Sequence, residues 1–290
     1  MGLFFSSDRF TRPGPGVRPD APRKKGVARL AEIMGRDMWS FFRAGFLAFL
    51  GCLPFIIGMF FAVETHALLF MLLAGIIGGL IAGPELSAMA DTVLRSLRDE
   101  PGYWWETYRR VWKRNARESL VPGILTGLVL SMQIFTLFHM SVISAGIVTW
   151  VLLILSFVVT LGLESYIWPQ IALLDLPLYG ILKNSLLLFL GYLPRSLGAI
   201  AIKAVYWGAI LLFFPLTTII LPFTNFWLPM LPALLCIYQP LNKCFTIEST
   251  INKMREDELN AALAKDNEPL PEDPTEKAEE STEASSDLSL

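Results

Sequence analysis

Two carboxylates, two histidines and one aromatic–basic run are the residues of this chain whose types and spacing bear on chemistry. Glu85 follows Pro84, and Glu164 precedes Ser165-Tyr166, each at the end of a long apolar stretch. An ionisable group within a membrane span is a functional candidate by default, so both are weak candidates for a binding site. The competing expectation is a hydrated or arginine-paired end residue, with Arg43 and Arg195 as partners. Gln133 is the one strongly polar residue deep in an apolar stretch, which suits a hydrogen bond between helices. The only histidines, His66 and His139, fall on the face opposite nearly every carboxylate. There is no G-x-S-x-G elbow, Walker loop, H-E-x-x-H motif or paired histidine spacing. Cys52, Cys236 and Cys244 show no paired spacing either. An enzyme is therefore not expected, and no catalytic residue, metal site or cofactor is assigned.

The most distinctive surface is the run Tyr103, Trp104, Trp105, Tyr108, Arg109, Arg110, Trp112, Lys113 and Arg114. Aromatic and basic residues alternate along a short helix there. That pattern suits anionic lipid headgroups, or equally a docking face for a cytoplasmic partner.

The elements that position these residues follow from the charge pattern. All 24 Lys and Arg fall in residues 1–43, 86–119, 166–203 and 243–290, which hold 9, 7, 3 and 5 of them. Cytoplasmic loops of membrane proteins are enriched in these residues. The expected fold is all-α: a polytopic membrane protein, a six-span helical bundle with both termini cytoplasmic. The expected spans, each near the roughly 20 apolar residues needed to cross hydrocarbon, are 41–62, 67–84, 121–140, 145–163, 204–222 and 226–242. The connections near 63–66, 140–145 and 221–226 then face outside. Lys203 is expected at the cytoplasmic edge, since a lysine at the bilayer centre costs roughly 2.5–3.5 kcal/mol. That makes residues 170–195 a cytoplasmic or interfacial segment.

The bulk composition agrees: 53% apolar and only 17% charged, with a net charge of −2 that argues for no nucleic-acid partner. The first apolar run starts near Phe41, too late for a cleavable signal. Residues 1–40 are expected to be a basic cytoplasmic arm and an interfacial helix. Residues 243–290 form a cytoplasmic acidic tail. From Glu256 onward acidic residues outnumber basic ones twelve to two, so disorder is expected there. Gly75, Gly79 and Gly83 recur every four residues, and Gly123 and Gly127 offer a matching face. Such small-xxx-small faces let helices approach closely. Asp91 and Arg95 are expected to pair facing the cytosol.

Several short motifs carry a family resemblance. They are Pro13-Gly14-Pro15-Gly16-Val17, Cys52-Leu53-Pro54, Gly83-Pro84, Arg98-Asp99-Glu100-Pro101-Gly102-Tyr103, Trp112-Lys113-Arg114-Asn115 and Lys183-Asn184-Ser185. In this order the chain resembles the YesL-like family of bacterial membrane proteins, whose function is uncharacterised, over about residues 1–255. The full hairpin between Cys52 and Gly83, charged only at Glu64, departs from many relatives. Members are often encoded beside carbohydrate-uptake systems, so the resemblance implies a role accessory to sugar import. The expectation is a non-enzymatic accessory or regulatory component in the bacterial cell membrane. Its partners would be the lipid bilayer and a sugar-transport complex or other membrane protein. The alternative is a small secondary transporter or permease for a small solute, which calls for a midplane polar site at broken helices.

Overall fold

Apolar runs too long for any soluble core helix dictate the architecture. The computed structural model describes residues 23–100, 102–142 and 146–266. Residues 1–22 of the expected basic arm and 267–290 of the expected acidic tail lie outside the described residues. Among the described residues the chain is helical without strands, and six helices are long and apolar enough to cross a membrane. Residues up to Leu241 form one compact unit and residues from Asn242 a second.

In the first unit α1 runs Gly26–Thr65. The next helix is composite: α2 (Leu68–Leu73), a π-helical turn (Ala74–Gly78) and α3 (Gly79–Arg98). Then come α4 (Trp104–His139) and α5 (Ile147–Leu173). α6 is Leu178–Gly191, α7 Leu193–Leu212, α8 Leu221–Thr224 and α9 Trp227–Phe245. α10, Ile247–Asp266, lies in the second unit. It carries helix ten residues past Glu256, where the acidic composition suggests disorder.

Helix length decides what projects from the membrane. At about 1.5 Å per residue, α1, α2–α3 and α4 are roughly 60, 46 and 54 Å long, against a hydrocarbon core of about 30 Å. The excess lies at the arginine-bearing ends, because the opposite ends carry no lysine or arginine and, apart from Glu64, no charge up to Thr65, Leu68 and His139. The segment 104–120 is therefore the first part of one continuous helix rather than a short surface helix.

Glycines join α3 to α4. A Cβ built on Gly79 would fall on the carbonyl oxygen of Gly123, and one on Gly123 on that of Gly79. Gly83 approaches Ser119, and Gly127 approaches Gly75, in the same way. At the far end from the arginines, Met59, Ala62, Met71 and Ala74 form a buried cluster against Phe55, Val63, Ile134 and Phe135. There His66 Nδ1 and His139 Nε2 are 2.6 Å apart, and His139 Nδ1 donates to the Phe135 carbonyl at 2.7 Å.

The arginine end is cross-tied by ions. Asp99 ends α3 in the left-handed conformation, φ 60°. It receives Arg29 at 2.7 Å and Arg36, while Arg29 and Arg36 also donate to the carbonyls of Leu97 and Ser96. Partial burial pushes the Asp99 carboxyl up, but the hydrogen bonds and charges of Arg36 and Arg29 prevail and hold it below the usual carboxylate range. A depressed carboxyl stabilises the fold above its ordinary titration range, and that contribution is lost as pH falls through the folded value. We therefore expect Asp99→Asn to lower the melting temperature at neutral pH and to have little effect once acid has protonated the wild-type carboxyl. Melting curves between pH 7 and 3 check this; a deficit that persists at the acid end would count against it. Asp91 and Arg95 do pair, at 2.7 Å, but Asp91 is buried (3% exposed) rather than facing solvent.

Two placements differ from the hydropathy reading. α7 begins at Leu193, not near residue 204, and ends at Leu212, so Lys203 sits at its middle. The 221–226 connection, expected outside, rests with Trp227 on the arginine-side end of α1. Phe223 stacks on Phe42 at 6.1 Å, Trp227 on Phe41 at 6.0 Å, and Asn225 packs against Gly45. Hydropathy registers that a segment is apolar and long enough, not which end of a neighbour it packs on.

Candidate functional site

Glu85 and Glu164 sit at one depth for a simple reason of counting. Each lies 17 residues along its helix from the apolar end, Leu68 to Glu85 and Ile147 to Glu164. That is roughly 26 Å, near the arginine-side limit of the hydrocarbon.

Glu85 is held by aromatic donors. Tyr108 donates its hydroxyl to one carboxylate oxygen, and Trp112 Nε1 donates to the other at 2.9 Å. Both donors come from α4 one turn apart, so a single helix face clamps the carboxylate. On the other side α1 comes close: a Cβ on Gly51 would stand 2.7 Å from Glu85 Cγ. The expected arginine partner is not used here. Arg43 instead lies over the rings of Trp39 and Trp104, at 5.0 and 5.4 Å from their centroids.

Glu164 faces Lys203. Lys203 Nζ donates to Ser165 Oγ at 2.9 Å, and its charge acts on Glu164. The three residues, with Pro169, Met230, Ala233 and Leu234, line a cavity of about 10 Å³. That is room for about one water. Arg195, the other expected partner, lies instead within electrostatic reach of Cys236. Cys52, buried in α1, is within electrostatic reach of both Glu85 and Glu164. Glu85 of α3 and Glu164 of α5, the latter paired with Lys203 of α7, thus both lie within electrostatic reach of α1. Deeper in the bundle, Gln133 Nε2 donates to Ser156 and Thr160 at 2.5 and 2.7 Å, joining α4 to α5.

The larger space is at the arginine end. A pocket of about 340 Å³ is walled by Arg36, Asp37, Arg95, Asp99, Glu100 and Trp104, with Tyr108 beneath. Its ions are engaged with one another: Arg36 with Asp37 and Asp99, Arg95 with Asp91 and Glu100. Tyr108 connects this pocket to Glu85.

The aromatic–basic run divides by helical period. Trp104, Tyr108 and Trp112, four residues apart, turn inward. Trp105, Arg109 and Lys113, one position on, are exposed, as is Tyr103. Arg110 pairs with Glu106 at 3.2 Å. Arg114 donates to the Ala172 carbonyl at 2.7 Å and ties α4 to the end of α5. The inward face, and with it the donors to Glu85, went unrecognised in the sequence. The signal was the four-residue spacing of 104, 108 and 112, once the segment is taken as part of one long helix. Among the described residues no group of three or more His, Cys, Asp or Glu side chains is placed to hold a metal ion.

Removing the carboxylate charge at Glu85 is expected to cost less than removing its shape. Glu85→Gln keeps acceptor and size, whereas Glu85→Ala leaves the Tyr108 and Trp112 donors unpaired, at about 1–3 kcal/mol. Unfolding in mixed micelles measures both, and equal losses would refute the clamp.

Comparison of the chain with protein-family models, with curated proteins and with solved structures finds no match in any of the three.

Proposed function

We propose that this chain is a non-enzymatic component of a bacterial cell membrane, of the YesL-like kind, with both termini in the cytoplasm. It assists or regulates a transport system, for which the resemblance suggests sugar uptake, through the projecting ends of α1, α3 and α4. One observation carries this reading: the exposed stripe of Trp105, Arg109 and Lys113 stands well clear of the apolar part of α4. Counting from Val121 at about 1.5 Å per residue, Lys113 is about 12 Å and Trp105 about 24 Å beyond it. Headgroups add only about 5–7 Å per side. The upper stripe therefore favours a protein partner over the chain's own bilayer, and aromatic residues and arginine are the types that anchor interfaces.

The test is co-purification in mild detergent from cells of the source organism. A transporter subunit should accompany the wild type and be lost from a Trp105→Ala, Arg109→Glu, Lys113→Glu triple variant that still elutes as a folded protein. Recovery unaffected by the triple change, or no transporter at all, refutes the proposal.

The second reading, a small secondary transporter, is favoured by the Glu164–Lys203 pair and by the π-helical interruption at Ala74–Gly78, since π turns recur at functional sites. It predicts a solute that raises the melting temperature of the wild type but not of Glu85→Gln or Glu164→Gln.

A further inference from the structure

The segment from Lys203 to Lys243 holds no charged residue between those two lysines. It carries the most exposed apolar cluster of the second half of the chain. Leu211, Leu212, Phe213, Phe214, Leu216, Ile219, Ile220 and Phe223 are each more than half exposed. A patch of that size does not face water in a stable protein.

Its base is fixed at one end of the bundle. Lys203 bonds Ser165, Tyr206 shares a hydrogen bond with Thr224 at 2.8 Å, and Trp207 lies 5.2 Å from Phe226. The base then joins α1 through the contacts of Phe223, Asn225 and Trp227 with Phe42, Gly45 and Phe41. From Phe42 to Thr65 is 23 residues, roughly 35 Å of helix. The hairpin cannot cover that distance. From Tyr206 to the end of α7 is six residues, about 9 Å. Beyond it the chain folds back at once, with Thr217 Oγ1 donating to the Ile210 carbonyl at 2.7 Å. α9 leaves by the same side: Met230 and Leu234 reach the Glu164–Lys203 cavity, and Tyr238 comes within electrostatic reach of Arg98 at the arginine end of α3. α6 behaves alike, with Ser185 on Gln170 and Phe189 against Gly162 of α5.

We infer that residues 193–227 form a re-entrant hairpin whose apolar tip, 211–220, binds the acyl chains of one leaflet. It enters and leaves the membrane on the side of the arginine pocket, and four helices (α1, α2–α3, α4 and α5) cross fully. The residue types agree with this placement. Lys203, Tyr206, Trp207, Asn225 and Trp227 gather at the base, where amphipathic side chains prefer the interface, and only aliphatic, Phe, Pro and Thr residues occupy the tip. Backbone at the tip is tolerable at that depth because its groups bond locally, as at Thr217 to Phe213, Ile219 to Leu216 and Ile220 to Thr217. The proposal does not depend on what the protein assists.

Single cysteines test it, in a background in which Cys236 and Cys244 are alanine and buried Cys52 is kept. Membrane-impermeant maleimide is applied to sealed vesicles of each orientation. Tyr103→Cys marks the arginine side and Ser141→Cys the opposite side. Thr224→Cys should label with Tyr103→Cys, and Leu216→Cys should be lost to the reagent from both sides. In parallel, the unaltered chain in nanodiscs containing a phospholipid with a diazirine on its acyl chain should give adducts between Leu211 and Ile220. Labelling of Thr224→Cys or Leu216→Cys with Ser141→Cys would mean two further full crossings and overturn the inference. Ready labelling of Leu216→Cys from the arginine side, or no lipid adducts in the unaltered chain, would place the tip in water or under a protein partner and overturn it equally.

Discussion

Lys203→Met and Glu164→Gln are each expected to destabilise the protein by about 3–5 kcal/mol, and the double replacement by much less than their sum. The reason is the enclosure of the pair. Lys203 is 8% exposed, its amino group has Ser165 as hydrogen-bond partner, and its counter-charge is Glu164 across a space for about one water. Losing one member leaves the other as an uncompensated charge in a dry setting. Losing both leaves a neutral, apolar-walled site that Met230 and Leu234 can help to fill. The signature is therefore non-additivity in a double-mutant cycle, measured by unfolding in mixed detergent micelles. Single losses that simply add would mean that Glu164 and Lys203 do not act on each other.

The same pair shows what the sequence could and could not convey. The cost of burying Lys203 was legible from its charge, but its place at the middle of α7 was not, because the helix starts at Leu193 rather than near Ala204. Its partner was not legible. Hydropathy ranks Arg195 as readily as Lys203, and only the way α7 lies against one turn of α5, with Ser196 on Tyr166 and Lys203 on Ser165, leaves Arg195 elsewhere. Glu85 repeats the lesson. A carboxylate at the end of an apolar run suggests an arginine, yet the donors are Tyr108 and Trp112, which lie in a segment taken for surface. Helical period would have exposed this, but only with the helix length in hand. Gln133, by contrast, was legible as an interhelical bond, because an amide deep in apolar surroundings has few other fates.

Charge bands located the arginine end and the four long helices well. They gave no sharp boundaries within 204–242, where the absence of charge removes the ruler itself: α7 starts eleven residues before the expected Ala204, although two helices of crossing length do lie there. A forty-residue apolar segment is compatible with two crossings or with none, and it is contacts such as Asn225 on Gly45, which hydropathy does not register, that bear on the choice. The composition of the tail likewise understated order. α10 runs to Asp266, and at its start the Glu248 amide donates to Asn242 Oδ1, satisfying one of the free amides of the first turn.

The glycine seam between α3 and α4 supports the sharpest steric expectation. Gly79→Leu or Gly123→Leu should abolish the folded state or reduce its yield to near the limit of detection. At both positions the added Cβ would land on a backbone carbonyl of the facing helix, which cannot rotate away as a side chain can. Overpacking against movable side chains already costs about 1–3 kcal/mol. Here the two helices must part along the length that also holds Gly83 against Ser119 and Gly127 against Gly75, so the whole seam opens together. In lipid the loss is the greater share of stability, since close van der Waals packing rather than hydrophobic burial drives helix association there. Gly208 is the internal control. It lies in α7 with no atom within 4 Å of an added Cβ. Gly208→Ala should leave stability unchanged or raise it by up to about 1 kcal/mol through helix propensity. Size-exclusion yield and melting temperature in detergent separate the cases. If Gly79→Leu matches Gly208→Ala, the seam does not bear the contact between α3 and α4 that its geometry describes.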